Sequence, residues 1–250
     1  MAHVSTGFLA AFGALSAPSW AVRNSGLLLL AALLERALRQ RRTRDAHASV
    51  AAEANGIGIS DFFARAPELH PYLVSALDSI VHPKHAPQAT SPPDLYSVLL
   101  LLSRLVPSPT TDLAHAAAVD VEAFVPLVMA CGAMASCRVR VIASLALVPL
   151  IAPDDVPTCV LALARSLPAS TSANQVHGTI LQLKALVDAA LGRAASSSSS
   201  TFEAELGDWC ALLLDALGPS LRLLRASCAV LRVALVQLLG SLLLAVPPPA

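Results

Sequence analysis

The stretch Trp20 to Leu38, WAVRNSGLLLLAALLERAL, constrains the fold more than any other part of the chain. It is rich in Leu and Ala and has no proline, so it is a helix. At about 100° per residue, one arc holds Trp20, Val22, Leu27, Leu30, Ala31, Leu33, Leu34 and Leu38. The opposite arc holds Asn24, Ser25, Glu35, Arg36 and Arg39. Arg23 breaks the pattern, because it falls in the middle of the apolar arc in the first turn. A cation there needs a partner, since an unpaired buried charge is very costly.

Other segments read the same way. Residues 1–15 form a helix, and Pro18 and Ser19 punctuate, with Ser19 placed as an N-cap. After a basic loop, Ser60 or Asp61 starts a short helix and Pro67 opens another. The Pro-rich run HPKHAPQATSPP is a loop, and Asp94 to Val106 is an apolar helix. Further helices start at Asp120 or Val121, after a Ser136 cap, at Asp154-Asp155, at Asn174, near Phe202 and near Pro219, the last broken near Ser227. Ser196 to Ser200 is a low-complexity linker. The expected organisation is helical repeats over 1–195, the linker 196–200, and a further full or partial repeat over 201–250.

The Arg23 arrangement recurs. Arg140 also follows a Val at a helix start, with Ser144, Leu147, Val148 and Ile151 where Arg23 has Leu27, Leu30, Ala31 and Leu34. The separation is 140 − 23 = 117, three units of 39. Val176-His177 opens a related helix 37 residues later, with Lys184 and Asp188 near its apolar face, and Leu224-Arg225 is a candidate fourth. Helix pairs repeating near 40 residues have HEAT/armadillo spacing, so the fold class is an all-α solenoid of antiparallel helix pairs. In that setting Arg23 and Arg140 either meet a carboxylate or carbonyl of an adjacent repeat or line a groove toward RNA phosphate.

Composition excludes several functions. The net charge is zero, so no global field points to nucleic acid. Cys131, Cys137, Cys159, Cys210 and Cys228 form no ligand spacing and read as buried, reduced thiols of a reducing compartment. No run reaches the roughly 20 apolar residues of a bilayer span, so no membrane insertion is expected. GxSxG, P-loop and GxGxxG signatures do not occur. His82 and His85 form an HxxH without nearby carboxylates or thiols, which reads as loop and not as metal site. Arg39, Arg41, Arg42 and Arg44 make the basic cluster, either a solvated loop or a contact to an RNA backbone. Phe62, Phe63 and Tyr72 read as core residues, so base stacking is not supported. Asn174 reads as an N-cap and His177 as a hydrogen-bonded packing residue, with Gly178 allowing close helix approach.

Five blocks, taken in order, resemble one family. WAVRNSGLLLLAALLERAL, DFFARAPELHPYLVSAL, DLYSVLLLLSRLVPSP, FVPLVMACGAMASCRVRVIASLALVPLI and NQVHGTILQLKAL are similar to the thyroid-adenoma-associated (THADA) family, over about residues 19–187. The resemblance implies a large HEAT-repeat scaffold. Its members assist an FtsJ-type methyltransferase that modifies the 2′-hydroxyl of tRNA nucleotide 32 in the anticodon loop. The resemblance further implies that the chain is no enzyme and carries no cofactor, S-adenosylmethionine being bound by the partner. The implied partners are the methyltransferase and tRNA, not DNA, and the implied location is cytoplasmic. This chain is much shorter than the family's members and does not contain their Arg-Arg-Ser-Ala-Gly motif. A general protein-binding HEAT adaptor is the alternative, and a membrane-associated helical protein is a third reading.

Overall fold

A computed structural model describes residues 3–38, 56–83, 94–108, 120–169, 172–196, 200–225 and 228–245. Among these are eleven α-helices and no strand. They are α1 (His3–Leu15), α2 (Trp20–Leu38), α3 (Ile59–Arg65), α4 (Leu69–Val81), α5 (Leu95–Leu102) and α6 (Phe124–Cys131). The chain continues through α7 (Cys137–Leu147), α8 (Val156–Ser166), α9 (Ala173–Ser196), α10 (Ser200–Leu217) and α11 (Ala229–Ala245). The chain forms two compact units, residues 1–128 and 129–250.

In the first unit α1 and α2 are an antiparallel pair, and α1 also packs on α4, which pairs with α5. Small residues let the first pair close. A Cβ on Gly26 would lie 2.9 Å from the Cβ of Ala14, and one on Gly7 would lie 3.2 Å from Leu33. The centre of the unit is aromatic. Phe63 stacks on Phe124 at 5.5 Å, and Phe62 packs edge-on against Phe8 at 5.8 Å. Phe62 and Phe63 are buried and Tyr72 half-buried, with Tyr72 against Phe12. This uses the aromatics as core, as their spacing indicates.

The second unit is an array of helix pairs. α7, α9 and α11 lie side by side, and α8 and α10 pack together alongside them. The sequence alternates the two kinds of helix, which is what an α-solenoid requires. α9 is tied to α11 by Ser241, whose hydroxyl donates to Asp188 Oδ1 at 2.8 Å, while Lys184 pairs with the other carboxylate oxygen. The two charges near this apolar face thus neutralise one another across one helical turn.

Several boundaries differ from the sequence reading. The helix expected to run from Asp94 to Val106 stops at Leu102. Val106 instead makes an isolated parallel bridge to Gly58, with Ile59 N–H donating to Val106 O at 3.0 Å. Asp120 does cap its helix, accepting from Ala123 N–H at 3.2 Å. Ser136 sits at the N-cap of α7, but its side chain caps nothing. α9 begins at Ala173, so Asn174 lies within the first turn and is not the N-cap. Arg225 ends a 3₁₀ segment, Gly218–Arg225, and does not start a helix like Arg23.

Burial corrects two further expectations. Only Gly26, Leu30 and Leu38 of α2 are buried, while Trp20, Val22 and Leu27 of its apolar arc are exposed. The helix touches α1 along a narrow strip, and the rest of the arc is not covered. All five thiols are free, with Cys131 and Cys210 buried, yet Cys137 and Cys228 are exposed. Burial pushes the Cys131 and Cys210 thiols up to about 11, so both stay protonated near neutrality. Among the described residues no single helix is long and apolar enough to cross a membrane.

Candidate functional site

The polar centre of the second unit is built around Arg140, in the first turn of α7 and buried. The turn between α6 and α7 ends with backbone carbonyls that no helix can satisfy. Arg140 folds back over it. Its Nη1 donates to Met134 O at 2.7 Å and to Ala135 O at 2.8 Å. Its Nε donates to His177 Nδ1 at 3.1 Å, on the neighbouring helix α9. A guanidinium Nε always carries hydrogen, so Nδ1 of His177 is the bare nitrogen and the ring proton sits on Nε2.

Two neighbours of His177 on α9 meet the same turn. A Cβ on Gly178 would run into the carbonyl of Gly132, so only glycine lets α9 lie this close. Gln182, buried, donates from Nε2 to Met129 O at 3.1 Å. A Cβ on Gly132 would lie 2.7 Å from that Nε2, so the second glycine makes room for the amide. Sequence reasoning misses Gln182. Its only signal is a polar residue one turn after the His-Gly pair.

Arg23 occupies the same frame in the first unit. Its Nη1 donates to Ala17 O at 2.9 Å and Pro18 O at 2.7 Å. Both arginines therefore reach the carbonyls six and five residues before themselves. Their own N–H groups donate to Ser19 O and Ser136 O, each at 3.1 Å. Among the described residues neither meets a carboxylate. The bonds to carbonyls make, in both cases, a staple across the arginine's own interhelical turn. Among the described residues Arg140 adds a bond to the neighbouring helix α9 and Arg23 adds none.

Arg39, Arg41, Arg42 and Arg44 lie outside the described residues, as does His85. His82 bonds to Asp78 Oδ1 through Nδ1 at 2.9 Å. Among the described residues no group of three or more His, Cys, Asp or Glu side chains is arranged to hold a metal ion.

His177 has its pKa held below the usual 6.5, first by burial and then by the Arg140 charge. The unfolded chain takes up a proton as pH falls past about 6.5, while the folded chain resists, so the stability this residue brings is present above that value and drains below it. Between pH 7.5 and 5.5 the wild type should lose up to about 1.4 kcal/mol more stability than His177→Gln, which accepts from Arg140 without titrating. Urea midpoints at the two pH values measure this. The glycines separate by environment on the same helix. Gly178→Ala should destabilise by about 1–3 kcal/mol through overpacking. Gly192→Ala, where a Cβ meets nothing within 4 Å, should stabilise by about 0.5–1 kcal/mol. Denaturant titration of both variants gives the comparison.

Residues 23–186 match the family model described as Trm732, C-terminal TPR repeats, a stretch that starts at Arg23 and includes Arg140, His177 and Gln182. A tetratricopeptide array is built of paired helices, and so is the second unit. The chain is 34% identical over 212 residues to the tRNA (32-2′-O)-methyltransferase regulator THADA of Mus musculus, covering 82% of this chain and 11% of that protein. It is 32% identical over 212 residues to the Homo sapiens protein of the same description, covering 82% and 10%. It is 29% identical over 168 residues to the tRNA (32-2′-O)-methyltransferase regulator trm732 of Schizosaccharomyces pombe, covering 67% and 11%. The chain thus spans about a tenth of the length of these relatives. No solved structure matches. With about two thirds of its residues inside the family pattern and its arginine staple within them, the chain belongs to the THADA/Trm732 family of helical-repeat proteins.

Proposed function

We propose that this chain is a non-catalytic helical scaffold that helps an FtsJ-type methyltransferase modify the 2′-hydroxyl of nucleotide 32 in the tRNA anticodon loop. The observation that carries this is the identity to proteins described as regulators of that methylation, maintained over most of the chain. The structure supports a positioning role. Its buried polar side chains Arg140, His177 and Gln182 hold one turn against the next helix, and so spend their hydrogen bonds on rigidity. A rigid helical array can hold enzyme and tRNA in reacting orientation and lower the entropic cost of their encounter. A cytoplasmic location goes with this reading, as does S-adenosylmethionine bound by the partner alone. Arg39, Arg41, Arg42 and Arg44 are assigned to the tRNA backbone, because arginine pairs well with phosphate.

The chain is mixed with the FtsJ-type methyltransferase of the same organism, its tRNA and S-adenosylmethionine. Methylation at position 32, read by mass spectrometry, should be faster with the chain than without it. Unchanged position-32 methylation in cells lacking the parent gene would refute the proposal. Replacing the four arginines by Gln should weaken tRNA binding and flatten its salt dependence by about 0.7–0.9 in log–log slope for each phosphate no longer neutralised. Filter binding at several salt concentrations measures it, and an unchanged slope returns the cluster to a solvated loop.

A further inference from the structure

The hydroxyls of Ser25, Ser79, Ser103 and Ser144 each donate to a carbonyl three or four residues back. Ser108 does something else. Its Oγ accepts the N–H of Ser60 at 2.9 Å, 48 residues earlier in the chain. Ser60 is the second residue of α3, whose N-cap is Gly58 and makes no side-chain cap bond. An N-cap side chain would accept from that N–H or the next one, so Ser108 supplies the missing cap from a distant segment. The same segment satisfies the neighbouring groups: Ile59 N–H donates to Val106 O, and Val106 N–H donates to Ile57 O at 3.1 Å. Two glycines let the segments meet. A Cβ on Gly56 would run into Val106, and one on Gly58 would lie 3.3 Å from Ser108 Oγ and 3.8 Å from Asp61 Oδ2. The start of α3, which carries the buried Phe62 and Phe63, is thus held by residues 106–108.

We propose that Ser108 is a phosphorylation site for a proline-directed serine/threonine kinase, and that its phosphate releases residues 106–108 from α3. Three observations meet at this residue. Ser108 is followed by Pro109, and a residue before proline is held extended, the form in which such kinases read a Ser-Pro pair. Its side chain is only half-buried, so opening the short bridge and this cap presents the hydroxyl. The hydroxyl also sits near a carboxylate, since Ser108 Oγ and Asp61 Oδ2 both lie within 4 Å of the point a Cβ on Gly58 would take. In the transfer Ser108 Oγ attacks the γ-phosphorus of ATP and forms the new O–P bond. The bond from that phosphorus to the β–γ bridging oxygen breaks, ADP leaves, and the hydroxyl proton passes to the kinase's catalytic carboxylate. The phosphate carries a charge of about −2 at neutral pH, and beside Asp61 it is repelled. It also has little room, because Ser108 Cα is itself 3.9 Å from the Gly58 point. The helix dipole pulls the other way, but α3 has only 7 residues and its first turn already holds the acidic Asp61. Repulsion and crowding therefore win, and the modified segment stays off the helix.

The test treats the full chain with a proline-directed kinase and ATP, maps the phosphate by mass spectrometry, and follows amide exchange in the peptide covering residues 57–62. The chain's other Ser-Pro pair, Ser91-Pro92, is removed by Ser91→Ala so that Ser108 is the one such target left. Ser108 should be modified, and exchange in this peptide should rise about tenfold, as expected for the loss of an N-cap. Adding Pro109→Ala keeps the Ser108 hydroxyl and removes the recognition element, so exchange after the same treatment should stay at the untreated level. If the kinase leaves Ser108 unmodified in the chain while phosphorylating a synthetic peptide of residues 102–113, the folded protein does not offer this serine and the proposal is overturned. If Ser108 is modified and exchange is unchanged or slower, the phosphate keeps or strengthens the cap, and release is refuted.

Discussion

One guanidinium laid across a turn decides how these helices stack. Where α6 gives way to α7 the chain reverses, and the carbonyls of Met134 and Ala135 face inward without helical partners. Leaving them bare in a packed interior would cost about 1–3 kcal/mol each. Arg140 satisfies both from one nitrogen, and positive charge is favoured beside carbonyls gathered at a helix end. Because Arg140 is itself in the first turn of α7, the bonds fix the angle at which α7 leaves the turn. The turn then becomes a solid surface against which the next helix is placed.

That surface also sets register. α9 meets it through His177, Gly178 and Gln182, which lie on one side of the helix. Sliding α9 by one residue would bring the side chain of His177 or Thr179 against the Gly132 carbonyl, where no Cβ fits beside the backbone. The same slide would separate His177 from Arg140 and Gln182 from Met129 O. Apolar packing among Leu, Val and Ala side chains tolerates such shifts far better. The buried polar residues are therefore what makes the position of α9 unique, although most of its packed surface is apolar.

How much of this the sequence reveals follows from the range of each interaction. Helix α2 is legible to the residue, because propensity and punctuation act locally. The oddity of Arg23 and Arg140 is legible too, since a wheel needs only spacing. Their partners are not. Carbonyls five and six residues back come within reach only once the turn takes its shape, and periodicity says nothing about turn geometry. The Asp94 helix reads too long because Val106 is drawn off to Gly58, 48 residues earlier, by a bridge with no local signature. Asn174 reads as a cap because its residue type favours that role, yet the helix already starts at Ala173. The wheel of α2 also identifies an apolar arc without showing that α1 covers only part of it. A periodic pattern records which face can be buried, and the number of neighbouring helices decides how much of it is.

The choice of histidine as the third partner of Arg140 has its own logic. A carboxylate would have answered the charge of the guanidinium, but burying both ions costs more solvation than their attraction reliably returns. A neutral imidazole accepts one hydrogen bond and adds no charge, leaving the cation to be spread over two carbonyls and a ring nitrogen. Burial and the neighbouring cation both depress the His177 pKa, so the arrangement enforces the neutral form it requires. At Arg23 the same staple is held by two carbonyls alone, at a site that is only half-buried, where water can hydrate the remaining donors. The degree of burial thus fixes how many protein acceptors each arginine needs: three at the covered face of α7, two at the open face of α2.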